Sequence, residues 1–145
     1  MTTLTGTKEK GKVQKVYKVV RVLEDGTLTS AWVDPSSTFC TIYNLGKSTR
    51  PCVRNTCLMA FSSLDHAEKW TVGVALGPYK YRIYEAIGYN TKKSSDYLPV
   101  INSEYIHDAD IITFWRTLIP TSSYFKQDTP EGSVFCTSIR LLEVV

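Results

Sequence analysis

Long hydrophobic runs are absent from this sequence, and their absence excludes proteins that cross a membrane with helices. No apolar stretch approaches the roughly 18–20 residues that a helix needs to span a bilayer. The first twelve residues are polar, and no apolar segment of the kind found in signal peptides follows them. We therefore expect a protein that stays in the cytoplasm and does not contact a membrane.

Histidine and cysteine are also scarce, with two and four residues respectively, which leaves few groups for metal binding or covalent catalysis. Cys52 and Cys57 lack the second matched pair that zinc sites usually show. Neither histidine lies in a recognisable nucleophile motif, and the nucleotide motifs G-x-G-x-x-G and G-x-x-x-x-G-K-S/T are missing. We expect reduced thiols, no metal and no cofactor, and the sequence favours a protein without enzymatic activity.

The length of 145 residues and a hydrophobic fraction of 43% are typical of one globular domain. Residues 1–12 are predicted to be a flexible arm, and residues 13–145 a single α+β domain. About six strands are predicted from β-branched runs, alternation and turn residues. They cover Val13–Leu23, Thr27–Asp34, Thr38–Asn44, Leu58–Phe61, Tyr79–Tyr89 and Ser133–Val144. Asp25-Gly26 between the first two runs predicts a hairpin.

The same pattern predicts one or two helices packed on a predominantly antiparallel sheet. The first helix covers Leu64–Trp70 and begins with Ser62 and Asp65 in a variant of the capping box. Residues 104–119 have apolar residues at helical spacing but also good strand composition. We favour a helix there and keep a strand as the alternative.

Basic residues are concentrated in the N-terminal segment and in one loop, whereas acidic residues prevail near the C-terminus. Residues 1–21 hold six basic residues and one acidic residue, while residues 95–145 hold three basic and seven acidic residues. The loop Leu45–Arg54 contains basic residues and no acidic one. Such asymmetry can steer anionic ligands or order a head-to-tail assembly, and the alternative is an ordinary solvated surface.

The loop Leu45–Arg54 contains Gly46-Lys47-Ser48-Thr49, which is similar to the end of a phosphate-binding loop but lacks its upstream glycine. A nucleotide-hydrolase motif is therefore rejected, whereas backbone amides and basic side chains could still form a local anion site. The predicted ligand-binding residues are Lys47, Ser48, Thr49, Arg50 and Arg54 of the loop, together with Arg21 of the first strand.

Glu85 is the one acidic residue that alternation places among isoleucines and aromatic residues on a strand face. A buried acid is either paired or functional through a shifted pKa, so Glu85 is the candidate catalytic residue. The alternative is that this face is partly wet. An NAD-using transferase could be assembled from Arg21, Glu85 and either Ser48 or Thr49.

Tyrosines interleaved with basic residues in the same strand are typical of surfaces on which nucleic-acid bases stack. These residues are Tyr79, Lys80, Tyr81, Arg82, Tyr84 and Tyr89. The acidic C-terminal third of the chain opposes broad binding to a polyanion, so nucleic-acid binding is a weaker expectation.

Six segments in this order resemble small uncharacterised domains found in phages and large DNA viruses. They are Tyr17–Arg21, Asp25–Ala31, Tyr43–Lys47, Leu58–Ala67, Arg82–Ala86 and Pro130–Leu141. The resemblance carries no known activity or site residue. It implies a viral accessory protein, located in the host cytoplasm or the virion, that acts as a virion component, binds a host factor or captures a defence signal.

These observations together predict a non-enzymatic binding module. It would hold an anionic small molecule, such as a nucleotide-like signal, or a host protein. A structural or self-assembling protein that forms homo-oligomers is the first alternative. The NAD-using transferase and the nucleic-acid-binding protein are the others.

Overall fold

The computed structural model describes residues 12–33, 35–54, 56–74, 78–99, 108–117 and 126–145. Within these ranges the chain forms ten strands and two helices, and every strand pairing is antiparallel. None of these helices is long and apolar enough to cross a membrane. The predicted α+β class with a mainly antiparallel sheet is confirmed, although there are more strands than the six predicted.

The strands are β1 Lys12–Val22, β2 Leu28–Ser30, β3 Ile42–Tyr43, β4 Ser48–Thr49, β5 Leu58–Phe61, β6 Lys80–Lys93, β7 Tyr97–Pro99, β8 Lys126–Asp128, β9 Ser133–Cys136 and β10 Ser138–Val144. The helices are α1 Leu64–Val74 and α2 Asp108–Thr117. The predicted third strand is thus reduced to two residues, and the predicted closing strand is divided at Thr137. The predicted arm lies outside the described residues, except for Lys12, which begins β1.

The two longest strands, β1 and β6, pair along almost their whole length, from Lys12 opposite Thr91 to Val22 opposite Lys80. The edge of β6 that faces away from β1 pairs with β10 and, further along the strand, with β9. Strand β9 pairs with β5, and β5 returns to β1 through the pair Tyr17 and Phe61. The ring β1–β6–β9–β5 therefore closes into a small barrel, with β2, β3, β10 and β4 extending from it.

The predicted hairpin between β1 and β2 is confirmed, with Val22 opposite Leu28. Gly26 has a φ of 86°, a conformation that glycine adopts without steric cost. The Asp25 carboxylate accepts a hydrogen bond of 2.9 Å from the backbone N–H of Thr27, which fixes the turn.

The inner face of β6 is opposite to the one that its aromatic residues suggested. Tyr84, Ala86 and Gly88 are buried, whereas Tyr81, Ile83 and Glu85 are only partly covered. The reason is space inside the narrow barrel. A Cβ atom added to Gly88 would lie 2.9 Å from the Cys136 Sγ, so only a residue without a side chain fits there.

Helix α1 covers part of the outer face of the barrel. Ala67 is fully buried, and the rings of Phe61 and Trp70 lie 5.9 Å apart. The helix ends at Val74, four residues beyond the predicted end at Trp70. Its cap is Ser63, one residue later than predicted, whose Oγ accepts a 3.2 Å hydrogen bond from the His66 N–H.

Helix α2 settles the segment that composition left ambiguous, at least over its described part. Residues Asp108–Thr117 are helical, so the strand alternative is wrong there. Phe114 and Trp115 pack edge to face at 5.1 Å, and Trp115 packs in the same way on Phe135 at 4.8 Å. The helix therefore packs on Met59 and Phe135 of β5 and β9, whose neighbours Leu58, Ala60 and Cys136 belong to a separate cluster inside the barrel.

Candidate functional site

A single lysine lies on the inner face of β1. Alternation along the strand places Lys18 between Val16 and Val20, which are fully buried. Lys18 is itself only 7% exposed. Burial of a lysine to this extent is rare unless the ammonium is paired.

The Lys18 ammonium has an incomplete set of partners. Its Nζ donates a 2.5 Å hydrogen bond to the backbone carbonyl of Met59 and lies 5.4 Å from the centre of the Tyr43 ring. No carboxylate approaches within ion-pair distance among the side chains that the structure describes. Since an ammonium carries three N–H donors, two of them are left for another partner.

Burial controls the protonation of this region. The loss of solvent lowers the pKa of Lys18 to about 8. It raises the pKa of the neighbouring Cys136 thiol to about 12 and also raises that of Cys57. Both thiols therefore stay neutral at neutral pH, and neither serves as a counterion for Lys18 or as a ready nucleophile.

Lys18 faces a cavity of about 50 Å³ that lies between the end of β2, the loop after it, the loop before β5 and helix α2. Aromatic and aliphatic side chains form most of its wall, with a few hydroxyl and thiol groups among them. The apolar lining residues are Trp32, Val33, Phe39, Pro51, Leu58, Met59 and Trp115, and the polar ones are Lys18, Ser30, Thr41, Thr56 and Cys57. This composition is typical of a small-molecule site.

The hydroxyl groups of this wall are held in place by the backbone. Ser30 and Thr41 pair through the backbone, and the Ser30 Oγ accepts a 3.0 Å hydrogen bond from the Thr41 N–H. The Thr56 hydroxyl donates a 2.7 Å hydrogen bond to the Val53 carbonyl. The Lys18 cavity is therefore a built feature with fixed polar groups.

Lys18 was not among the predicted site residues, because it lies in the basic N-terminal segment, where a lysine is expected on a solvated surface. The pattern Val16-x-Lys18-x-Val20 places the lysine on the same face as two β-branched residues. That pattern indicates that the Lys18 side chain shares a strand face with two core-forming residues. The pattern alone does not say which face of the strand is buried. The closed barrel shows that this face points inward.

The predicted basic loop lies beside the cavity. Pro51 lines the cavity, and its neighbours Lys47, Arg50 and Arg54 are exposed. Ser48 and Thr49 form β4, where they pair with Arg140 and Ile139. The loop thus contributes one apolar wall residue and surrounds it with positive charge, and its role as an anion site stays a prediction.

Arg21, the predicted site residue of the first strand, is buried against the end of β2. It is 4% exposed, and its guanidinium donates hydrogen bonds of 3.0 and 3.1 Å to the carbonyls of Ser30 and Ala31. It also lies 4.6 Å from the centre of the Tyr79 ring. Strands β6 and β10 stand between β1 and β4 on one path across the sheet. On the other side, Ser30 pairs with Thr41, whose hydroxyl accepts a hydrogen bond from the Cys52 N–H of the loop, and a joint role of Arg21 and the loop stays a prediction.

Glu85 is partly wet and paired with a surface lysine. Its side chain is 31% exposed and lies 3.1 Å from the Lys15 Nζ. Arg21 is opposite Tyr81, four residues away from Glu85 along β6, which is roughly 13 Å at the rise of a strand. The residues proposed for an NAD-using transferase are therefore spread along and across the sheet. Tyr84, one of the tyrosines predicted to stack bases, is buried in the barrel.

A second polar cluster lies at the start of α1. The Ser63 Oγ is 2.6 Å from the His66 Nδ1, and the His66 Nε2 is 3.8 Å from the exposed carboxylate of Glu131. Gly132, with a φ of 82°, approaches so closely that an added Cβ would lie 2.4 Å from the His66 ring. Because Ser63 also caps the helix, this cluster is explained as an anchor between α1 and the turn before β9.

Comparison with known proteins adds no assignment to this geometry. Among the described residues, no group of three histidine, cysteine, aspartate or glutamate side chains is placed to hold a metal ion. The resemblance to domains of phages and large DNA viruses stays a prediction. No family model, no curated protein and no solved structure matches this chain.

Proposed function

We propose that this protein is a binding module for a small organic anion, whose charged group is held by the Lys18 ammonium inside the cavity. The observation that carries the proposal is a buried ammonium that faces a cavity and has no carboxylate beside it among the described residues. The proposal keeps the predicted class of function and moves the anchor from the basic loop to the barrel interior.

The buried charge of Lys18 has an energetic cost. A charge removed from water destabilises a protein unless it is paired and hydrogen-bonded. One carbonyl and one aromatic ring offset only part of this cost for Lys18. An anion that enters the cavity would accept the remaining hydrogen bonds of the Lys18 ammonium and neutralise its charge. Binding would therefore recover the free energy that burial of this charge costs during folding.

The size of the cavity limits the part of a ligand that enters it. A volume of about 50 Å³ has room for a few water molecules, at roughly 10–15 Å³ each. A carboxylate or phosphate group fits this space, whereas a whole nucleotide does not. The body of a larger ligand would lie at the entrance, against Pro51 and beside the exposed Arg50 and Arg54.

Thermal unfolding in the presence of acetate, benzoate, inorganic phosphate and AMP tests the proposal. At least one of these anions should raise the melting temperature of the wild-type protein. A ligand at a hundred times its dissociation constant stabilises a fold by about 2.7 kcal/mol. Lys18→Met should abolish the shift, because methionine fills similar space without charge or N–H donors.

Lys15→Met is the matched control, since it removes a lysine from the same strand that lies outside the cavity. This variant should keep the full response to the anion. Arg50→Ala should weaken the response only to AMP, whose body reaches the entrance. The proposal is overturned if no anion shifts the wild-type melting temperature, or if Lys18→Met responds as strongly as the wild type.

A further inference from the structure

We propose that Lys18 also condenses with the carbonyl group of a small aldehyde or keto acid, forming a reversible imine inside the cavity. This inference rests on the proposed function, because the same cavity would hold the carboxylate of the ligand. It adds a substrate class and a covalent step to that binding site.

The geometry supplies what an amine nucleophile requires. Lys18 lies in a cavity with mostly apolar walls, and the Met59 carbonyl holds its Nζ by one hydrogen bond. Lysines that form imines with carbonyl compounds are typically desolvated in apolar pockets.

Lys18 is more reactive toward a carbonyl group at neutral pH than a surface lysine, because more of its amine is unprotonated. Burial lowers the pKa of Lys18 to about 8, so a fraction of the amine is neutral at pH 7. Lys15, on the same strand, is exposed, and its hydrogen bond to Glu85 raises its pKa above the ordinary value of 10.5. The neutral fraction at neutral pH is therefore much larger for Lys18.

The step is balanced without any further reactant. The neutral nitrogen attacks the carbonyl carbon, a C–N bond forms, and the carbonyl oxygen leaves as water after it has taken up two protons. An aldehyde and the lysine ammonium thus give a protonated imine and one water molecule. The imine keeps the positive charge, which the carboxylate of the same ligand would offset.

The wall of the cavity offers a group that can assist the departure of water. The Ser30 Oγ accepts a hydrogen bond from the Thr41 N–H, so its own hydroxyl hydrogen can be donated to another acceptor. Ser30 and Lys18 line the same cavity. We assign Ser30 as the proton donor to the leaving oxygen.

Reductive trapping tests the inference on the wild-type protein. The protein is incubated with glyoxylate and cyanoborohydride at pH 7, and the modified lysines are identified by peptide mass spectrometry. Lys18 should be labelled at least about tenfold faster than Lys15, given their different neutral fractions. Labelling of Lys18 at the same rate as Lys15, or more slowly, would overturn the inference. The measurement uses only the wild-type protein, so it does not depend on the folding of a variant.

Glycolate separates this inference from the proposed function, because it has the size and charge of glyoxylate but no carbonyl group. If glycolate raises the melting temperature and glyoxylate does not label Lys18, anion binding stands and the covalent step fails. If neither occurs, both proposals fail. Ser30→Ala should slow the labelling of Lys18 severalfold, and an unchanged rate would remove Ser30 from the proposed step.

Discussion

Lys18 and Arg21 are buried cations three residues apart on β1, and they face opposite sides of the strand. Arg21 is held by two backbone carbonyls and the Tyr79 ring on the outer side of the sheet. Lys18 has one carbonyl and the Tyr43 ring, and it opens to a cavity on the inner side. Both keep N–H donors without an acceptor among the described residues, the Nε in the case of Arg21, and they differ in that Lys18 lines a cavity whereas Arg21 does not.

The difference separates a structural role from a binding role. The guanidinium of Arg21 joins β1 to the end of β2, where Ser30 and Ala31 would otherwise have buried carbonyls without these donors. Lys18 keeps two N–H donors that no described residue accepts, and they are the basis of the proposed anion site. Removing Arg21 should damage the fold, whereas removing Lys18 should damage only binding.

The largest effect is expected from Arg21→Met. This change leaves two buried carbonyls with fewer partners and removes the cation from the Tyr79 ring, so we expect a loss of about 2–4 kcal/mol in the free energy of unfolding. Urea denaturation measures it. A loss below the uncertainty of that measurement would mean that Arg21 is not the structural member of the pair.

Lys18→Met should have the opposite sign. Replacing an unpaired buried charge by an apolar side chain of similar length removes a desolvation cost, and comparable replacements of buried ion pairs are neutral or stabilise by about 1–4 kcal/mol. We expect a gain of about 1–2 kcal/mol at pH 7, measured by the same denaturation. A clear loss of stability would show that the fold itself needs the ammonium.

The pH dependence of Lys18 sharpens this contrast. The folded amine releases its proton near pH 8 and the unfolded one near 10.5, so the unfolded state binds more protons between these values. The stability of the wild type should rise with pH in this window relative to Lys18→Met, and the advantage of the variant should shrink. Parallel stability curves for the two proteins would contradict the lowered pKa.

Lys15→Met should give the smallest effect of the four. Lys15 is exposed and Glu85 partly exposed in their ion pair, and pairs that water reaches contribute little to stability. We expect a melting temperature within the error of the wild-type value, at low and at moderate salt. A marked destabilisation would show that the Glu85 carboxylate depends on Lys15 within the sheet.

The local elements of this fold follow from neighbouring residues. Asp25-Gly26 determines the first hairpin, and β-branched residues determine β1, since both depend on nearby backbone geometry. Ser63 and the apolar residues after Leu64 define the start of α1. These features were predictable to within a few residues.

The faces of β6 were not predictable in the same way. Alternation divides the strand into two sets of side chains but does not state which set points inward. The aromatic residues predicted that the face of Glu85 is buried. The narrow barrel instead buries the face of Tyr84, Ala86 and Gly88, where Gly88 leaves no room for a side chain. That choice depends on Cys136 and Val16, which are distant in the sequence.

The sequence by itself determined an antiparallel α+β domain, its first hairpin, its capped helix and a basic loop. Only the tertiary structure decided that Lys18 is buried and that Pro51 of the basic loop lies beside it. The physical reason is closure of the barrel. The pairing of Tyr17 with Phe61 brings β5 beside β1, so that the Met59 carbonyl accepts the hydrogen bond from Lys18 and the cavity forms next to it.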